Sequence, residues 1–135
     1  MFDEGQPLKR FSAGFQFHLE PLKEMEPGGQ FSEIIANYRR HNWALRRVLL
    51  RPATRAEMGD ASAVIFEDAP VEESEIDALW FARPSQAGRE AWELRLVAET
   101  PYALFETFEP DEPEEEREEL RREMEARLRE YSNRA

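Results

Sequence analysis

Residues 11–19 alternate apolar and polar, with Phe11, Ala13, Phe15, Phe17 and Leu19 on one side and Ser12, Gly14, Gln16 and His18 on the other. A period of two marks a half-buried β-strand. Pro21, Pro27, Gly28 and Gly29 then interrupt the chain, and Ser32 is placed to cap a short helix carrying Ile34, Ile35 and Tyr38 on one face. That helix is predicted near 32–41 and ends at Asn42, a residue that tolerates the left-handed conformation of a helix end. Two readings compete for 43–51. Ile34, Tyr38, Leu45 and Leu49 would share one stripe if the helix ran on to Pro52, whereas Trp43, Val48, Leu49 and Leu50 favour an extended chain. The strand is preferred.

Residues 52–75 read as an irregular connection with a short apolar piece from Ala63 to Phe66, followed by an acidic loop of Glu67, Asp68, Glu72, Glu73 and Glu75. The best-specified element is a hairpin over 76–98, whose turn Gln86-Ala87-Gly88 places glycine where a three-residue loop needs a positive φ. This register sets Trp80 against Leu94, Ala82 against Trp92 and Ala78 against Leu96, so large residues oppose small ones on a wholly apolar face. The other face carries Asp77, Arg83, Glu93 and Arg95 around Leu79, Phe81 and Val97. Residues 100–109 read equally as a strand that sets Leu104 on Leu96 or as a short helix started by Thr100 and Pro101. A last helix is predicted over 112–132, with Asp111 as cap, Pro113 in the first turn and Leu120, Met124, Leu128 and Tyr131 as an apolar stripe.

Together these elements predict one α+β domain over residues 1–135. It divides into an N-terminal strand and Pro/Gly linker (1–30), an α+β core (31–109) and an acidic C-terminal helix (110–135). The expected architecture is a mostly antiparallel sheet of about four strands, near 11–19, 43–51, 76–83 and 90–98, packed on two helices as a two-layer sandwich.

Composition narrows the chemistry. The 135 residues contain no cysteine, which removes disulfides, thiolate metal sites and cysteine nucleophiles together and fits a reducing compartment. The start Met1-Phe2-Asp3-Glu4 has neither the basic nor the apolar region of a signal peptide, and no apolar run approaches membrane-spanning length, so a cytoplasmic protein is expected. The net charge is -11, yet no acid falls between Ile34 and Ala56, where Arg39, Arg40, Arg46, Arg47, Arg51 and Arg55 all lie. In a regular strand Arg47 and Arg51 would point one way and Arg46 the other, dividing that basic stretch.

The catalytic patterns are incomplete. Gly28-Gly29-Gln30 matches the tripeptide with which release factors position water against an ester, but its lead-in Glu24-Met25-Glu26 would repel RNA, and a Gly-Gly turn before a helix accounts for it. Asp77 with Glu93-Leu94-Arg95 resembles the acid and E-x-K of metal-dependent nucleases. Here arginine replaces the lysine and cannot act as a base, and the register separates the carboxylates by roughly 13 Å. A solvated strand face is the ordinary reading. His18 and His41 are the only histidines, expected on solvent-facing edges, and the acidic runs lack the spacing of an ordered calcium loop. The order helix, three strands, helix from Ser32 onward is also that of double-stranded-RNA-binding domains. Those domains grip phosphate with basic residues at the start of the last helix, where this chain has Asp111, Glu112 and Glu114.

No catalytic, cofactor-binding or metal-ligating residue is assigned, and no small-molecule substrate is evident. The expected function is a non-catalytic interaction or assembly module whose partner is a protein or a second copy of the chain. Phe11, Phe15, Phe17, Arg39, Arg40, Arg46 and Arg47 are the candidate contact residues. Nucleic-acid binding through the basic stretch over residues 39–55 is the alternative, and a small hydrolase or nuclease a more distant one.

Overall fold

Gly28 opens the first helix. Its φ of 87° is left-handed, and a Cβ there would come within 2.6 Å of Ile65 Cδ1, so glycine meets both the conformational and the steric demand. The computed structural model describes residues 10–11 and 28–134. In chain order the elements are β1 (Arg10–Phe11), α1 (Gly29–Arg40), β2 (Ala44–Leu50), α2 (Pro52–Met58), α3 (Ala61–Phe66), β3 (Val71–Glu73), β4 (Ala78–Pro84), β5 (Glu90–Leu96), β6 (Tyr102–Phe108) and α4 (Glu114–Arg134). Helix α1 thus starts three residues ahead of the expected cap: Ser32 donates its backbone N–H to the Gly28 carbonyl at 3.0 Å and lies inside the helix. It ends where expected, with Asn42 at φ 72° and β2 starting at Ala44.

The strands form one sheet in the order β1-β6-β5-β4-β2-β3. The hairpin register is as read from its apolar face, with Ala78 opposite Leu96, Trp80 opposite Leu94 and Ala82 opposite Trp92. Residues 102–108 form a strand, but Leu104 lies opposite Leu94, and Leu96 faces Tyr102. Residues 52–75 are not an irregular connection. Pro52 opens α2, Gly59 at φ 55° and Glu67 at φ 53° punctuate the two short helices, and the chain returns as β3 parallel to β2. The helical crossover is what allows a parallel pair, and it makes the sheet mixed rather than mostly antiparallel. Of the predicted N-terminal strand, Arg10 and Phe11 pair with Phe105 and Leu104 of β6, and the rest lies outside the described residues.

The two long helices pack on opposite faces, which replaces the expected two-layer arrangement. Met124 and Leu128 of α4 cluster with Ala78, Trp80, Ala82, Trp92, Leu94 and Phe108. Phe31, Ile34, Ile35 and Tyr38 of α1 cluster with Leu79, Phe81, Val48 and Leu50. Alternation along β4 sends successive side chains to the two cores, which is why the run 78–82 is apolar throughout and buried throughout.

Candidate functional site

The arginines of the acid-free stretch are drawn to acids from elsewhere in the fold. Arg47, on β2, forms a two-pronged bond with Glu118 of α4 at 2.7 and 3.1 Å. Arg51 donates its backbone N–H to Asp77 at 2.8 Å and its guanidinium to the same carboxylate, while the Thr54 hydroxyl donates to Asp77 at 2.7 Å. Asp77 thereby ties the start of α2 to the sheet, a structural duty that occupies both its oxygens. Arg39 reaches Glu67 at 3.5 Å with both side chains exposed, and Arg40 donates to Asn37 at 2.9 Å. Phe11 lies in β1, and Phe15 and Phe17 lie outside the described residues.

A bulge changes the direction of Arg46. The β2–β4 register shifts between Leu45 and Arg47, so one extra residue of β2 is accommodated opposite β4. Arg46 and Arg47 therefore fall toward the same face, with guanidinium carbons 5.3 and 5.8 Å from the centroid of the Trp92 ring, instead of on opposite faces. Trp92 can receive them because Ala82, its neighbour across β4, leaves the indole room to lean toward β2. Arg121 of α4 sits closest to the indole at 4.3 Å and also pairs with Glu114 and Glu118. Burial tends to raise the Glu118 carboxyl, but hydrogen bonds and charge from Arg47 and Arg121 outweigh it and hold the group below its ordinary value.

The opposite face holds a buried polar network at the centre of the sheet. Tyr38 donates its hydroxyl to Glu93 at 2.5 Å while stacking on Phe81, with ring centroids 3.9 Å apart. Arg95, two residues along β5 on the same face, donates its Nε–H to the Leu96 carbonyl at 3.0 Å. Burial, then the neighbouring Glu93 charge, pushes the Tyr38 hydroxyl far above its ordinary value, and burial lowers Arg95. The solvated strand face expected for Glu93 and Arg95 is thus an interior layer, 3% and 1% exposed. Tyr38 stays neutral and donating, Glu93 accepts from it, and neither carboxylate of the nuclease-like pattern is left to gather a metal. Among the described residues no group of three His, Cys, Asp or Glu side chains is placed to hold one. His41 is exposed, its Nδ1 3.0 Å from the Asn37 carbonyl oxygen. Gly28, Gly29 and Gln30 form the start of α1.

What remains open is an edge. Strand β3 lies beside β2 only from Val48 onward, where Val48 donates its N–H to the Pro70 carbonyl at 2.9 Å. Residues 44–47 have no strand on that side among the described residues. Alongside them lies a cleft of about 300 Å³, lined by the partly buried Leu45 and Ala69, the buried Phe66 and the charged Arg39, Arg46 and Glu67. A second cleft of about 280 Å³ separates β3 from α4, but Arg122 crosses it to reach Glu72 at 3.1 Å and Glu125 at 2.9 Å. Sequence reasoning marked Arg39 and Arg46 without bringing them to one place. It missed the edge, because the signal lies in a three-residue strand formed by residues distant in sequence. Among the described residues no helix is long and apolar enough to cross a membrane. Comparison with protein-family models, curated proteins and solved structures returns no match.

Proposed function

We propose that this domain is a non-catalytic protein-interaction module of the cytoplasm that takes an extended segment of a partner along the uncovered first half of β2. The observation behind this reading is the length mismatch between β2 and β3: among the described residues no strand pairs with the first half of β2 on that side, and a cleft lined by both apolar and charged side chains lies beside it. An exposed edge offers backbone donors and acceptors for strand addition, and adjacent pockets supply side-chain selectivity. The partner is a different protein rather than a second copy, because two chains of net charge -11 repel one another on approach. Nucleic acid is disfavoured by the same field and by the engagement of Arg47 and Arg51 with Glu118 and Asp77.

The test compares proteins captured from the native cytosol by the parent chain and by Ala69→Arg, which places a long charged side chain in the cleft. Pro70→Arg, at an exposed position, serves if the first variant melts lower. Proteins held by the parent and lost by a variant with unchanged melting support the reading. Identical capture by parent and variants overturns it.

A further inference from the structure

The two sides of the uncovered edge differ, and the difference specifies what can dock there. An added strand sends successive side chains to opposite faces, so it meets the α1 side and the α4 side alternately. On the α1 side it meets the partly buried Leu45 and Ala69, which pack on the α1 core, with Glu67 already held by Arg39 and Asp68 beside them. On the α4 side it meets Arg46, which the bulge carries over the Trp92 ring. Arg47 and Arg121, the other two arginines at that indole, are bound to Glu118, and Arg121 to Glu114 as well. Arg46 has its ring contact and no carboxylate partner among the described residues. A cation–π contact leaves the N–H donors of a guanidinium unsatisfied, and those donors can take a carboxylate through two parallel bonds.

We infer that the edge selects an extended protein segment in which an acidic side chain, directed to Arg46, stands next in sequence to an apolar one seated on Leu45 and Ala69. The inference rests on the edge-docking reading above and adds the identity of the docked side chains. Local charge favours it: Arg46 is an exposed cation at the edge with no carboxylate partner among the described residues, while the exposed Arg39–Glu67 pair is weak and does not demand a counterpart.

The experiment is selection from a library of random octapeptides against the purified full chain, repeated with Arg46→Glu and with Ala69→Arg, the melting temperature of each variant being checked first. The parent is expected to enrich β-prone peptides with an acid beside an apolar residue. Arg46→Glu is expected to weaken those peptides about tenfold, the scale of one lost charge-assisted contact, and to enrich basic residues at the same place. Ala69→Arg should abolish enrichment. If Ala69→Arg abolishes enrichment but Arg46→Glu leaves the acid preference unchanged, edge docking stands and the role of Arg46 falls. Enrichment that survives Ala69→Arg, or a parent that enriches nothing, overturns both. Arg46→Gln, which removes the charge without reversing it, should give an intermediate loss with no new basic preference; an unaltered preference there also counts against the inference.

Discussion

Trp92 is where the α4 side of the fold is most exposed to a single perturbation. Its indole is 5% exposed, lies edge-on to Trp80 at 5.7 Å and to Phe108 at 6.5 Å, and donates its Nε1–H to Glu90 at 2.9 Å. Trp92→Ala removes a buried aromatic side chain, which costs about 3–5 kcal/mol through lost transfer energy and the cavity left behind. The change also strips the ring from beneath Arg121, a buried cation whose stacking contributes about 1–2 kcal/mol when desolvated. Arg46 and Arg47 can fold into part of the space, so the expected total is about 4–6 kcal/mol. For a chain of 135 residues this lowers the melting temperature by about 14–21 °C, at about 3.5 °C per kcal/mol. The assay is urea denaturation followed by far-ultraviolet circular dichroism, with Trp92→Phe alongside. The phenylalanine variant keeps a ring under Arg121 and should lose about 1–2 kcal/mol. A Trp92→Ala cost below about 1.5 kcal/mol would refute the packing described for this face, since a side chain buried at that depth cannot be removed so cheaply.

Tyr38→Phe deletes the donor that Glu93 accepts at the centre of the other face and should cost about 1–3 kcal/mol in urea denaturation; a neutral result would show that the Glu93 carboxylate is satisfied without it. The carboxyl of Glu118 is held below its ordinary value in the folded chain, so its stabilisation is complete above the unfolded pKa of about 4.3 and is lost as pH falls through the lower folded value. Acid titration of stability should therefore show a shallower fall below about pH 4 for Glu118→Gln than for the parent; parallel curves would contradict the sign. Labelled duplex RNA and DNA should not bind at moderate salt. Sub-micromolar binding lost on changing Arg39, Arg46 and Arg47 to Glu, with log affinity falling against log salt by about 0.9 per phosphate contact, would instead favour the nucleic-acid reading.

The elements legible in the sequence are those whose signals are local. The hairpin could be registered because Gly88, at φ 76°, fixes the turn and because Ala82 and Ala78 leave room for Trp92 and Leu96 across the ladder. The end of α1 could be placed because Asn42 tolerates φ 72°. Strand β3 could not, since three residues carry no period and its pairing with β2 is made by a crossover rather than a turn. Alternation put Arg46 and Arg47 on opposite faces, and a one-residue bulge, which depends on β4, put them on the same face. Glu93 and Arg95 looked like a wet strand face because charge usually means solvent. Their burial depends on a tyrosine from another element, 55 residues away from Glu93, that a one-dimensional pattern cannot bring near. For the same reason the candidate site was legible only as separate arginines, without the edge that gives them a use.

The most direct test of edge docking is backbone amide hydrogen exchange of the full chain, free and saturated with a peptide recovered from the octapeptide selection. Strand addition predicts slowed exchange within residues 44–47, where no neighbouring strand lies on the outer side among the described residues, with α4 unchanged. Slowing confined to α4 or to the β4–β5 turn, with residues 44–47 exchanging as in the free protein, would contradict it.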